Sequence, residues 1–227
     1  MRADREGNRA AGAKNVSAEL MKVSSGTPDS SAIRYAAAFI RRGELVGVPT
    51  DTFYALAADP FNLAAVEEIY RAKGRPENRA LPILVNSIDQ AVSLARELPP
   101  NFLKLAKRFW PGPLTLLVDA SQQIPLKVTA NMGRAALRWP NSPVACALIE
   151  QLGSPITGTS ANISGYPSCS NADQLMEQLG DRLQLILDAG DTGAMISSTI
   201  VDLREDDWRV VREGLVAAED IQSALAG

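Results

Sequence analysis

The sequence predicts an α/β domain built on a mixed sheet, and three observations carry that prediction. Short apolar runs of strand length alternate with segments whose apolar residues recur at helical spacing. The C-terminal part, residues 184–212, is strand-rich instead, which argues for antiparallel as well as parallel pairing. Apolar residues make up 46% of the 227 and charged residues 22%, enough for one full core in one domain.

Residues 1–27 mix Arg2, Asp4, Arg5 and Glu6 with Gly, Ala and Ser and show no periodicity. They are expected to form a disordered N-terminal tail, with the folded domain over 28–227. No apolar stretch there suits a secretory signal. Asp29 or Ser30 caps a helix with Ile33, Ala36, Ala37 and Ile40 on one face, ending near Gly43. Residues 45–49 read as a buried strand. Asn62 caps a second helix with Val66, Ile69 and Tyr70 on one face and Glu67 and Glu68 near its positive end. Pro76 is expected to stop that helix, leaving Lys73 and Arg75 at its C-terminus.

Residues 81–85 form another strand, helical periodicity follows over 88–97 and 101–109, and 114–118 is a strand after the Pro111-Gly112-Pro113 turn. Next come a strand at 136–139, a helix over 143–152, a strand at 155–158 and a loop over 159–165. Asn171 caps a helix bearing Leu175 and Leu179. Strands near 184–188, 198–203 and 208–212 and a short helix after Ala217 close the chain.

Composition narrows the chemistry. Histidine is absent, which removes His bases, His triads and His-ligated zinc from the chain's own repertoire. Cys146 and Cys169 form no C-x-x-C pair and suit a reducing, cytoplasmic setting; Cys146, among Val144, Ala147 and Leu148, reads as a buried structural thiol. Net charge is -3, against a broad nucleic-acid surface, and no apolar run reaches the roughly 18–20 residues of a membrane span. No Rossmann G-x-G-x-x-G and no Walker P-loop is present, and Ser160 sits in no nucleophile elbow.

Two segments stand out. Lys73-Gly74-Arg75-Pro76, flanked by Arg71 and Arg79, is the densest cationic patch. Thr157-Gly158-Thr159-Ser160-Ala161-Asn162-Ile163-Ser164-Gly165 is polar and rich in short hydrogen-bonding side chains. Cations that offset charge, with hydroxyls and amides that orient, are what a polyphosphate needs.

These segments belong to an ordered set: Pro49–Leu56, Lys73–Pro76, Trp110–Thr115, Arg138-Trp139-Pro140, Thr159–Gly165, Ser198–Asp202 and Val211–Gly214. The set resembles the YrdC/TsaC family of L-threonylcarbamoyladenylate synthases over about residues 30–216. The resemblance implies a YrdC/RibB-like fold, an open twisted sheet with flanking helices curved around a basic cavity. It implies a nucleotidyltransferase that joins L-threonine, bicarbonate and ATP, the last with Mg²⁺, into threonylcarbamoyl-AMP and pyrophosphate, with no protein-ligated transition metal. The downstream partner it implies is a threonylcarbamoyl transferase complex acting on tRNA, with weak direct tRNA binding allowed and no membrane association.

Carried over residue by residue, the resemblance assigns ATP contacts to Lys73, Arg75, Ser160, Asn162, Ser168 and Arg212, with Lys73 and Arg75 as the catalytic cations. It assigns threonine contacts to Thr52, Arg138 and Ser198. Arg79 stands where a polar residue is usual, and either adds a phosphate contact or faces water. The competing reading is a solvated helix end for Lys73 and Arg75, a stabilised turn for Ser160 and Asn162, and a strand-edge charge for Arg138. Tyr54 is divided between core packing and the site, while Trp110 and Trp139 read as packing. The chain departs from the family pattern at Ala55 (usually Gly), at Glu213 (usually Pro) and at Leu84, where many members use a histidine to contact threonine. Two other functions fit parts of the pattern: an RNA-binding module without catalysis, and a carbamoyl-transfer domain of HypF type.

Overall fold

The computed structural model describes residues 17–204 and 207–226. The first strand, β1 (Glu19–Lys22), lies inside the expected tail and corrects it. It pairs in parallel with β9 (Leu185–Asp188), Glu19 opposite Leu185, and the buried Ala18 precedes it. Its alternation is too short and too charged to signal a strand; the backbone edge of β9 supplies the partner. The rest of the expected tail, residues 1–16, lies outside the described residues.

Helix α1 (Ser30–Arg41) begins at Asp29, whose carboxylate accepts from Ser31 N, and buries Ile33, Ala36, Ala37 and Ile40. That face packs on α5 (Pro143–Leu152), capped by Ser142 with Pro143 in its first turn. Strand β2 (Val46–Val48) is buried throughout and antiparallel to β3 (Ala55–Ala57), which the Ala-rich sequence did not announce. Helix α2 (Leu63–Lys73) starts at Asn62, whose side chain accepts from Ala64 N and Ala65 N.

The stop of α2 differs from expectation. Gly74, at φ +57°, closes it with its N–H on Arg71 O and Arg75 N–H on Tyr70 O, two residues before Pro76. A left-handed residue there favours glycine. Glu67 and Glu68 stand beyond the first turn and pair instead with Lys127 and Arg71.

Strand β4 (Ile83–Leu84) is shorter than expected. Helices α3 (Ile88–Leu94) and α4 (Asn101–Phe109) lead to β5 (Leu114–Asp119) and β6 (Arg134–Arg138), an antiparallel pair. Beyond α5 lie β7 (Ile156–Thr157) and β8 (Thr159–Ser160), then α6 (Ala172–Leu179) capped by Asn171. The chain continues through β9, β10 (Thr199–Arg204), β11 (Asp207–Arg212) and α7 (Ala218–Ala226).

Among the described residues these strands form two open mixed sheets rather than one. Their orders are β1-β9-β2-β3-β8 and β11-β10-β5-β6-β4-β7. The chain crosses between them at Gly158, where a Cβ would collide with the Leu84 side chain. Glycine is therefore what lets β7 join one sheet and β8 the other. No described helix is long and apolar enough to cross a membrane.

Candidate active site

A cavity of about 240 Å³ lies where the two sheets meet. Thr52, Arg75, Arg138, Ser160, Ser198 and Arg212 all line it. Thr50, Leu84 and Thr115 are also among its lining residues. Three of its lining residues are arginines and none is an aspartate or glutamate. That balance suits an anionic ligand.

Lys73 and Asn162 stand behind this wall. The Lys73 ammonium, 1% exposed, donates to Ser160 O, to Asn162 O at 2.7 Å and to Asn162 Oδ1 at 3.3 Å. It therefore ties the two sequence segments together. Burial pushes Lys73 down to about 7, with the Arg75 charge adding to the effect. Three acceptors around one nitrogen nevertheless demand three N–H groups, which only the charged form has. The geometry is that of an ammonium serving as the loop's anchor, not of a cation open to the cavity.

The donors expected from the polar loop are turned inward. Ser160 Oγ donates to Asn162 Oδ1 at 2.6 Å, and Asn162 Nδ2 donates to Ile163 O and Tyr166 O, both at 2.8 Å. The predicted loop is in part strand, since Ala55 pairs with Ser160. Positive charge in the cavity comes from arginine. Arg75 is held by Nε on Arg79 O at 3.2 Å and Nη2 on Ala80 O at 2.8 Å, both backbone acceptors that leave its charge uncompensated. Arg212, exposed at the mouth, is pinned through Nη2 to Ser198 O at 2.7 Å and to Ser198 Oγ at 3.0 Å.

The opposite wall centres on Arg138, 6% exposed. Its guanidinium donates through Nε to Gly112 O at 3.1 Å, Nη1 to Thr52 Oγ1 at 2.9 Å and Nη2 to Asp51 Oδ1 at 2.6 Å. Five N–H groups less three leaves two. Burial pushes Arg138 down, opposed by the Asp51 charge. The strand-edge surface charge is thus replaced by a buried ion pair.

Proton bookkeeping orients the hydroxyls. Thr50 Oγ1 donates its one hydrogen to Phe53 O at 2.7 Å, so across the 3.1 Å contact Thr52 donates to Thr50. Thr52 Oγ1 then accepts from Arg138 and keeps one lone pair, which can receive only an N–H or O–H from a ligand. On the far side of Arg138, Thr115 Oγ1 and Ser198 Oγ are 3.0 Å apart. Leu84 is in register with Arg138 on the neighbouring strand. One flank of Arg138 is apolar and the other carries hydroxyls.

Arg79 is exposed, and its carbonyl rather than its guanidinium is engaged, accepting from Tyr70 and Arg75. Ser168 is half-buried and does not line the cavity. Tyr54 is buried, its hydroxyl donating to Gly190 O at 2.8 Å, and burial pushes it up to about 12. Trp110 packs edge-on against Phe102 and donates to Leu114 O, as a packing residue does. Cys146 is only half-buried, whereas Cys169 is fully enclosed; burial raises both thiols, Cys169 to about 11. Sequence reasoning missed Thr50, Asp51 and Thr115, although all three sit inside motifs it singled out. A larger open depression of about 1100 Å³ lies by the far ends of β5 and β6. Its Arg96 and Arg134 pair with Asp119, and Arg134 and Arg204 with Asp202, so its charge is already balanced. Among the described residues no group of three or more Cys, Asp or Glu is placed to hold a metal ion.

Comparison with known proteins places this geometry. The Sua5/YciO/YrdC family profile, described as telomere recombination, matches residues 38–214. A threonylcarbamoyl-AMP synthase of Pyrococcus abyssi is 41% identical over 85% of this chain and 57% of its own length. A threonylcarbamoyl-AMP synthase of Bacillus subtilis is 38% identical over 85% of this chain and 56% of its own. The crystal structure of P. abyssi Sua5 complexed with L-threonine superposes with a TM-score of 0.87 at 39% identity, covering 91% of this chain and 60% of that one. The chain thus spans just over half the length of these relatives.

Proposed function

The chain belongs to the Sua5/YciO/YrdC family, and from that premise we propose that it synthesises L-threonylcarbamoyl-AMP. The substrates are L-threonine, bicarbonate and ATP, the last entering as its magnesium complex, and pyrophosphate is released. The observation that carries this reading is the cavity itself, lined by Arg75, Arg138 and Arg212 with no lining carboxylate.

The chemistry needs no protein nucleophile, which fits a chain without histidine. The threonine amine attacks bicarbonate to give a carbamate and water. A carbamate oxygen then attacks the α-phosphorus, and the α–β bridging bond breaks to release pyrophosphate. Both partners of the second step are anions, so holding them together against repulsion is the main task. Arg138 offers two unengaged N–H groups to the threonine carboxylate, Thr52 a lone pair to the ammonium or hydroxyl. Arg75 and Arg212 take the phosphate chain, whose negative charge grows on the leaving pyrophosphate. Lys73 acts through the loop, fixing Ser160 and Asn162 against the nucleotide. At about 240 Å³ the cavity is below the roughly 300–1,000 Å³ usual for small-molecule pockets. It suits an amino acid and phosphates, with the nucleoside at the mouth.

The product is an activated acyl group, so the reading includes a downstream threonylcarbamoyl transferase complex acting on tRNA in the cytoplasm. Both cysteines being free accords with that compartment. The test is pyrophosphate release with each component omitted in turn. It is expected only when threonine, bicarbonate, ATP and magnesium are all present; release that persists without threonine refutes the reading.

A further inference from the structure

One buried carboxylate is left half-used. Asp51 Oδ1 accepts from Arg138 at 2.6 Å, but Oδ2 is buried and has no hydrogen-bond partner among the described residues. An unmatched buried oxygen on a charged group is costly and calls for a reason. Its neighbours supply one. Asp51 and Thr52 hold the two terminal nitrogens of the same guanidinium, and Thr52 Oγ1 keeps a lone pair that only a donor can fill. Arg138 therefore presents two free N–H groups beside the Thr52 acceptor, with the Asp51 carboxylate just behind the cavity wall and not among its lining residues. That is the charge pattern of an α-amino acid zwitterion, with carboxylate and ammonium on adjacent atoms.

We propose that Asp51 is a specificity-determining residue that selects amino acids over simple carboxylic acids, by placing a negative charge beside the ammonium of a ligand whose carboxylate is on Arg138. The proposal rests on the reading of this cavity as a threonine site. Without Asp51, Arg138 would attract any small carboxylate, including those with no amine to carboxylate. With Asp51 in place, an acid lacking the amine shares the guanidinium with a like charge and gains nothing in return.

The test is isothermal titration of the full chain and of Asp51→Asn with L-threonine, with (R)-3-hydroxybutyrate, its analogue lacking the amine, and with ATP. Wild type is expected to prefer threonine. In Asp51→Asn, threonine affinity should fall roughly tenfold, as expected for loss of a unit charge held just behind the cavity wall. Binding of 3-hydroxybutyrate should stay level or tighten, and ATP binding should be unchanged. A parallel loss of both acids overturns the proposal, because it marks Asp51 as a mere support for Arg138. Equal affinity of wild type for the two acids overturns it whatever the variant does, while leaving the threonine site standing. Wild type that binds ATP but no threonine removes the functional reading and the proposal together.

Discussion

Replacing Arg138 with methionine separates the stability of this site from its function. The side chain is buried with Asp51 in a 2.6 Å ion pair, the two being 8% and 14% exposed. Removing one partner of a buried pair leaves the other charge uncompensated, at about 3–5 kcal/mol. Asp51 would be left without its Arg138 bond, and its Oδ2 already lacks a partner among the described residues. For a domain of this size each kcal/mol moves Tm by about 2–4 °C, so Arg138→Met should lower Tm by roughly 6–20 °C. Urea unfolding monitored by circular dichroism measures this as a fall in midpoint with an unchanged slope. Asp51→Leu combined with Arg138→Met removes both charges, and replacing a buried pair by apolar residues is often neutral. The double variant should recover most of the lost stability yet still fail to bind threonine. A single variant as stable as wild type, or a double variant no better than the single, would refute the ion-pair argument.

Three further outcomes follow from the loop anchor and the corner. Lys73→Met removes the anchor shared by Ser160 O, Asn162 O and Asn162 Oδ1, so ATP affinity measured by titration should fall by roughly tenfold or more, each charged bond being worth about 1.5–3 kcal/mol. Because Lys73 sits at about 7 when folded and 10.5 is its ordinary value, its burial penalty is full below pH 7 and is relieved as pH rises from 7 towards 10.5. Wild type should therefore gain stability relative to Lys73→Met over that window, and a gap that narrows instead refutes the assignment. Gly158→Ala would drive a Cβ into Leu84, costing about 1–3 kcal/mol in urea unfolding and reducing threonine binding with it. A variant as stable as wild type would show that the corner tolerates a side chain.

Helices with a cap and a clean apolar face were legible in the chain itself. Asp29, Asn62 and Asn171 each accept a first-turn N–H where the sequence marks the start, and Ser142 does the same at a helix whose cap was not read. Strands β1, β3 and β8 were not, because two to four residues carry too little alternation to stand out. They exist because neighbouring strands leave edges to be paired. Pro76 drew attention as the helix stop, but Gly74 reaches the left-handed region two residues earlier and ends α2 first.

Sequence by itself determined which chemistry is available: no histidine, two uncoupled cysteines, and arginines, lysine, threonines and serines gathered in ordered motifs. It also determined the α/β class and the motifs from which Thr52, Arg75, Arg138, Ser160, Ser198 and Arg212 reach one cavity. Which way each group points was decided only by tertiary structure. Lys73 lies one residue before the helix stop, and nothing local says whether its ammonium meets solvent, phosphate or protein. Packing of α2 beneath the Ser160–Asn162 segment gives it three oxygens from the far side of the sequence. Arg138 likewise acquires its charge partner across 87 residues, when β6 comes alongside the turn between β2 and β3. Motif order is a one-dimensional property, whereas donor direction and burial arise from contacts between segments distant in the chain.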